Sequence, residues 1–232
     1  MKGIFKSAVI AASVMTAGVA TAAAPLKIGH VYGISGAFEK YARTLKQGIE
    51  MGFEYETQGK MEIAGRKIEI IEKDTQLKAD LGRTLVAEAM GDDKVDLVMG
   101  PLSSGVVIAA LPVAEEFKKV LIAEGASNAI TGANWNKYVF RVARNSDQDA
   151  IGNAFAVAGK NTYFGGIAQD YPFGHDGLGA FKEAAEAAGG KMVIEEYVPS
   201  GTKDFTANIQ RLFNALKNQK GKKYIFPYWA GG

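Results

Sequence analysis

Val95-Asp96-Leu97-Val98-Met99-Gly100-Pro101-Leu102-Ser103-Ser104-Gly105 decides the fold of this chain. The short apolar run Val95 to Met99 reads as a buried parallel strand that breaks at Gly100-Pro101, and a helix is expected to start near Ser103 or Ser104. The first N–H groups of a helix have no partner inside it, so such a junction offers donors to an anion such as a carboxylate. In open α/β sheets, the crevice beyond the carboxyl ends of the strands is where small ligands sit.

Working outward, strands and helices alternate. Leu26 to Tyr32 is the first expected strand and ends at the turn Gly33-Ile34-Ser35-Gly36. A helix follows over Tyr41 to Glu56, with Leu45, Ile49 and Phe53 on one face. Lys67 to Glu72 is a strand, Asp80 to Met90 a helix, and the helix after Ser104 carries Pro112, which is expected to bend or reset it. Lys119 to Ala123 and Lys137 to Val142 are extended, with a polar loop from Glu124 to Asn136 between them. This alternation predicts a parallel sheet covered on both faces.

A second strand–helix set begins near residue 146. It comprises a helix over Ile151 to Lys160, a strand over Thr162 to Ala168, a helix over Asp176 to Ala188 stopped by Gly189-Gly190, and a strand over Met192 to Val198. A helix over Asp204 to Asn218, capped by Asp204, and a strand over Lys223 to Trp229 complete it. The expected organisation is an α/β chain with a leader at 1–22, a first lobe at 23–145 and a second lobe at 146–232. The second lobe would be incomplete, and the chain is expected to be a fragment of a longer one.

The leader reading rests on Lys2 and Lys6 before the small or apolar run Ala8 to Ala20, followed by Ala20-Thr21-Ala22 as a cleavage site. The run is shorter than the roughly 18 residues of a membrane span. Removing Lys2 and Lys6 with the leader leaves 25 basic against 25 acidic residues. A chain near neutrality is not built for nucleic acid or for electrostatic docking on a membrane. It has no cysteine, hence no disulfide, thiolate metal site or lipid-bearing cysteine, and a free periplasmic protein is expected.

Catalytic motifs are missing. Gly29, Gly33 and Gly36 have the wrong spacing for a dinucleotide fingerprint, there is no phosphate-binding Walker loop, and no Gly-x-Ser-x-Gly elbow surrounds Ser103 or Ser104. His30 and His175 offer little for a metal, and no metal or other cofactor is expected. Binding without chemistry is the expectation.

The chain resembles the branched-chain amino acid (leucine/isoleucine/valine) binding proteins, the type I periplasmic substrate-binding components of ABC transporters. The resemblance is carried by Gly33-Ile34-Ser35-Gly36, Gly100-Pro101-Leu102-Ser103-Ser104, Gly125-Ala126-Ser127, Tyr171-Pro172-Phe173-Gly174 and Gly201-Thr202-Lys203-Asp204-Phe205. It implies two Rossmann-like lobes, a monomer, a small amino-acid ligand held between the lobes, and an inner-membrane permease with its ATPase subunits as partners. It further implies that Ser104 holds the ligand carboxylate, Ser127 contacts both ends of an amino acid, and the Gly125 carbonyl takes the ammonium. Tyr41 would stand at the cleft mouth and Phe173 would cover the ligand from the second lobe, in a place where a tyrosine is often found. The family's second-lobe acidic contact to the ammonium would lie beyond Gly232.

Other readings stay open for several residues. Ser103 and Ser104 suit a helix cap, Tyr41 and Phe173 a core, Asp170 a turn, and Trp229 either core or cleft. Ser103, Asp170 and Trp229 are thus secondary ligand candidates. Aromatic acids or other small carboxylates are the alternative ligands, and a ligand-sensing ectodomain on the same fold is the alternative role.

Overall fold

A computed structural model describes residues 23–231; the expected leader at 1–22 lies outside the described residues. The β-branched and apolar runs form two parallel sheets. The first contains β1 (Leu26–Tyr32), β2 (Glu62–Ile63), β3 (Arg66–Asp74), β4 (Leu97–Met99), β5 (Val120–Ala123) and β6 (Val139–Arg141), in the order β2-β3-β1-β4-β5-β6. The second contains β7 (Thr162–Gln169), β8 (Lys191–Val198) and β9 (Lys222–Tyr228), in the order β8-β7-β9. All neighbours are parallel except the β2–β3 hairpin.

Both orders reverse direction once, between β1 and β4 in the first sheet and between β7 and β9 in the second. Connections leave the two strands on opposite sides at such a point, which opens a crevice at their carboxyl ends.

The helices follow their apolar faces. In α1 (Glu39–Glu56), Leu45, Ile49 and Phe53 are half-buried along one side, as their four-residue spacing requires. Helices α2 (Ala79–Gly91) and α3 (Ser104–Phe117) pack over the first sheet, and Val86, Val98, Val107, Leu111 and Leu121 are among the residues of its core. Helices α4 (Ser146–Val157) and α5 (Pro172–Ala187) pack together, and Ala150 and Ala154 of α4 join Phe164, Leu178 and Phe181 in the core of the second sheet. Helix α6 (Thr206–Leu216) covers another side of that sheet through Leu212, which packs with Ile167 and Val198, while Phe213, Tyr224 and Ile225 stay exposed.

Several boundaries differ from the sequence reading. The strand expected from Val95 is confined to Leu97–Met99, because the Val95 and Asp96 amides bond Ala89 and Lys27 carbonyls instead. Helix α3 runs through Pro112 without a break. The loop at 124–136 holds a 3₁₀ turn, Asn128–Ile130. Helix α5 starts at Pro172, four residues before Asp176, since a proline at the first helical position gives up no hydrogen bond. Helix α6 starts at Thr206 with Phe205 at its cap position; Asp204 still accepts the Thr206 N–H at 2.9 Å. The β2–β3 hairpin, turned by Ala64 and Gly65 at positive φ, was not expected.

Candidate functional site

The cleft is built from the carboxyl ends of strands in both sheets. After β1, Asp74 of β3 anchors the Gly33–Gly36 turn: its Oδ1 accepts the Ile34 N–H at 3.0 Å and its Oδ2 accepts the Ser35 hydroxyl at 2.7 Å. Burial works against ionisation of Asp74, but hydrogen bonds from Ser35, Gln76 and Ile34 outweigh it and hold the carboxyl below its ordinary range. The anchored turn delivers Phe38, which is buried and meets Tyr41 edge-to-face at 6.0 Å.

After β4, the chain must turn against β1. Gly100 has φ +93°, and a Cβ there would lie 2.3 Å from the Val31 carbonyl oxygen, so both conformation and space require glycine. Its N–H bonds the Ile122 carbonyl at 2.9 Å, and α3 then begins with Ser104 buried in its first turn.

After β5, Gly125 lies against that first turn; a Cβ on it would come within 3.0 Å of the Ser104 Cα, the Val107 side chain and the Ile130 side chain. This approach lets the Ser127 N–H reach the Ser104 Oγ at 3.1 Å. A hydroxyl has one proton and two lone pairs, so Ser104 accepts from Ser127 and keeps its proton for another acceptor.

The second sheet closes the cleft. The Gln169 side-chain amide at the end of β7 makes two reciprocal bonds to the Ala230 backbone, both 2.9 Å, which hold the end of β9 beside it. Phe173 stacks on Tyr228 with centroids 4.3 Å apart, and Trp229 meets Phe205 edge-on at 5.2 Å.

Between these elements is a cavity of about 180 Å³. Its walls are Phe38, Tyr41, Leu102, Ser104, Glu124, Ala126, Arg144, Tyr171, Phe173, Trp229 and Ala230. Aromatic and aliphatic walls suit an apolar group, and Ser104, Glu124 and Arg144 are its charged or strongly polar members. Arg144 is held by an ion pair to Asp149. Burial pushes the Tyr171 phenol upward, the Glu124 carboxyl up to about 8 and the His30 imidazole down to about 4. Among the described residues, no group of three or more His, Asp or Glu side chains could hold a metal, and no helix is long and apolar enough to cross a membrane.

Of the residues singled out in the sequence, Tyr41, Ser104, Phe173 and Trp229 line the cavity. Gly125 and Ser127 stand behind Ser104 and are not among the lining residues; the Ser127 hydroxyl is given to Asp176. Ser103 faces an adjoining depression with Gln169, Tyr171 and Ser200. Asp170 is exposed and contacts the His175 ring nitrogen at 2.8 Å. Sequence reasoning missed Phe38, Leu102, Glu124, Arg144 and Tyr171 as wall residues. The usable signal was position: each follows the carboxyl end of a parallel strand.

The family model described as periplasmic binding protein matches residues 25–216. A solved structure described as an ABC-type branched-chain amino acid transporter from Rhodopseudomonas palustris CGA009 is 51% identical, with a TM-score of 0.69, covering 89% of this chain and 56% of its own. A periplasmic binding protein from Burkholderia mallei is 25% identical with a TM-score of 0.80, covering 90% and 54%. A solute-binding protein of an ABC transporter from Rhodopseudomonas palustris BisB5, in complex with 3,4-dihydroxybenzoic acid, is 26% identical with a TM-score of 0.73, covering 88% and 54%. The chain thus spans about half the length of these proteins. No curated protein sequence matches it significantly. Since the family match takes in the first sheet, two strands of the second and every cleft wall up to Phe173, the chain belongs to the periplasmic binding protein family.

Proposed function

We propose that this protein is the substrate-binding component of an ABC transporter, which captures a small apolar amino acid of branched-chain type and delivers it to an inner-membrane permease. The leader at 1–22 would export it to the periplasm, and residues 23–145 and 146–232 would act as two lobes of a monomer. The placement of Ala150 and Ala154 in the second core supports that division. The protein would bind without chemistry, and its partner subunits would hydrolyse ATP.

The observation that carries the reading is Ser104. It is buried at the first turn of α3, accepts the Ser127 N–H, gives its proton to no acceptor among the described residues, and faces an apolar-walled cavity between the ends of two parallel sheets. That corner offers a charge-assisted bond to a carboxylate, and the walls offer burial to an apolar side chain. The 51% identical protein described as a branched-chain amino acid transporter supports the ligand class.

An aromatic acid is the second reading. It is favoured by the five aromatic walls Phe38, Tyr41, Tyr171, Phe173 and Trp229 and by the relative in complex with 3,4-dihydroxybenzoic acid. A thermal-shift panel of leucine, isoleucine, valine, phenylalanine and benzoate-type acids tests both, because a ligand of the native state raises the melting temperature. Stabilisation by the aliphatic amino acids supports the first reading, stabilisation by the aromatic acids alone supports the second, and no stabilisation by any of them rejects both.

A further inference from the structure

Glu124 is a charged-type side chain in a place that gives it no partner. Its side chain is 7% exposed, and its Oε2 is buried without a hydrogen-bond partner among the described residues. His30 on β1 approaches it, but its Nε2 is 3.9 Å from Oε1, too far for a hydrogen bond, and is itself without a partner among the described residues. Buried polar groups are nearly always satisfied, and an orphaned carboxyl is costly. Glu124 lines the cavity, so the missing donor can come from whatever occupies it.

We infer that Glu124 accepts the ammonium group of the ligand and is the residue by which this cleft selects an amino acid over the corresponding amine-free acid. The inference rests on the reading of the cavity as a carboxylate site at Ser104. Geometry distinguishes an ammonium from other donors. An α-ammonium and a carboxylate share one carbon, so their receptors must share one corner. Glu124 and Ser104 do so, because the next residue, Gly125, lies against the Ser104 backbone. The phenolic hydroxyl of a para-hydroxylated aromatic acid lies a ring's length from its carboxylate and would need an acceptor at the far end.

The charge balance has a readable consequence. Burial keeps Glu124 protonated in the empty cleft at neutral pH. An arriving ammonium favours the carboxylate, so the Glu124 O–H breaks, its proton leaves to solvent, and an ammonium–carboxylate pair remains. The other ionisable groups around the site are His30, held neutral by burial and coupled to Glu72 and Lys46, and the lining residues Arg144, Tyr41 and Tyr171.

The test is calorimetric titration of the wild-type protein and Glu124→Gln with L-leucine and with its amine-free counterpart 4-methylpentanoate, in two buffers of different ionisation enthalpy. Glutamine keeps the shape and neutrality of the empty state. The expected result is a wild-type preference for leucine with net proton release. In the variant, leucine should bind about tenfold or more weakly, 4-methylpentanoate should change little, and the proton release should vanish. Equal loss of both ligands in the variant, unchanged leucine affinity, or wild-type leucine binding without proton release would overturn the inference. Wild-type binding of 4-methylpentanoate or benzoate but not leucine overturns it while leaving the carboxylate site standing. Binding of none of these overturns both.

Discussion

Asp176 on α5 accepts the Ser127 hydroxyl at 2.5 Å and the Asn128 N–H at 2.8 Å through one carboxylate oxygen, Oδ2. The donors follow β5 of the first sheet and the acceptor belongs to the second, so this pair of bonds spans the cleft beside Ser104. Replacing Asp176 by alanine leaves two donors without their acceptor, which costs about 1–3 kcal/mol in such settings. Asp176→Ala should therefore lower the melting temperature and weaken ligand binding, both measurable in one thermal-shift series with and without ligand.

Ser104→Ala removes a donor facing the cavity and the acceptor of the Ser127 N–H. Ligand affinity should fall by about 1–3 kcal/mol, since a charge-assisted bond to a carboxylate is lost in a desolvated corner. Calorimetric titration with leucine measures it, and an unchanged affinity would remove Ser104 from the site.

The His30–Glu124 pair predicts a particular pH dependence of stability. The Glu124 carboxyl is raised from 4.5 to about 8, so the folded state holds a proton that the unfolded chain releases, and its contribution is lost as pH rises towards 8. His30 is lowered from 6.5 to about 4, so its contribution is present above 6.5 and lost as pH falls towards 4. Between 4.5 and 6.5 the two slopes oppose each other, and from 6.5 to 8 only the Glu124 loss remains. Wild type should lose on the order of 2 kcal/mol across that upper interval relative to Glu124→Gln. Denaturant unfolding of both proteins at a series of pH values checks this.

A Cβ on Gly174 would lie 1.9 Å from the Gln169 carbonyl oxygen and 2.8 Å from its carbon. Alanine gains about 1 kcal/mol in helix propensity within α5, but a backbone clash cannot be relieved by turning a side chain and costs about 3 kcal/mol. Gly174→Ala should be destabilising on balance by chemical denaturation. It should also impair binding, because the displaced start of α5 carries the wall residue Phe173.

Much of this fold is legible in periodicity. Leu26–Tyr32 is a strand with the bounds its residues suggest, and the four-residue spacing in α1 marks its half-buried side. The Gly100-Pro101 break and the serines behind it mark the helix start at the cleft. What was not legible depends on local competition or on tertiary placement. Pro172 serves equally in a turn or at a first helical position, and its helix neighbours favour the latter. Glu124 opens a stretch that reads as a polar loop and Arg144 stands in no motif, and only the convergence of β5, α3 and the second sheet turns them into cavity walls. The bond from the Ser127 hydroxyl to Asp176 joins residues 49 positions apart, a pairing that no local pattern announces.

On the proposed function, the ligand sits between the two sheets, against Ser104 on one side and Trp229 on the other. The chain has two tryptophans, and Trp135 lies away from the cavity with its indole N–H on the Val139 carbonyl. Fluorescence titration of Trp135→Phe with leucine, with and without the added Ser104→Ala change, therefore reads the cleft alone. The expected result is a saturable change in Trp229 emission that shifts to about tenfold or higher ligand concentration when Ser104 is removed. Leucine binding that leaves Trp229 emission unaltered, or a response indifferent to Ser104, would contradict it.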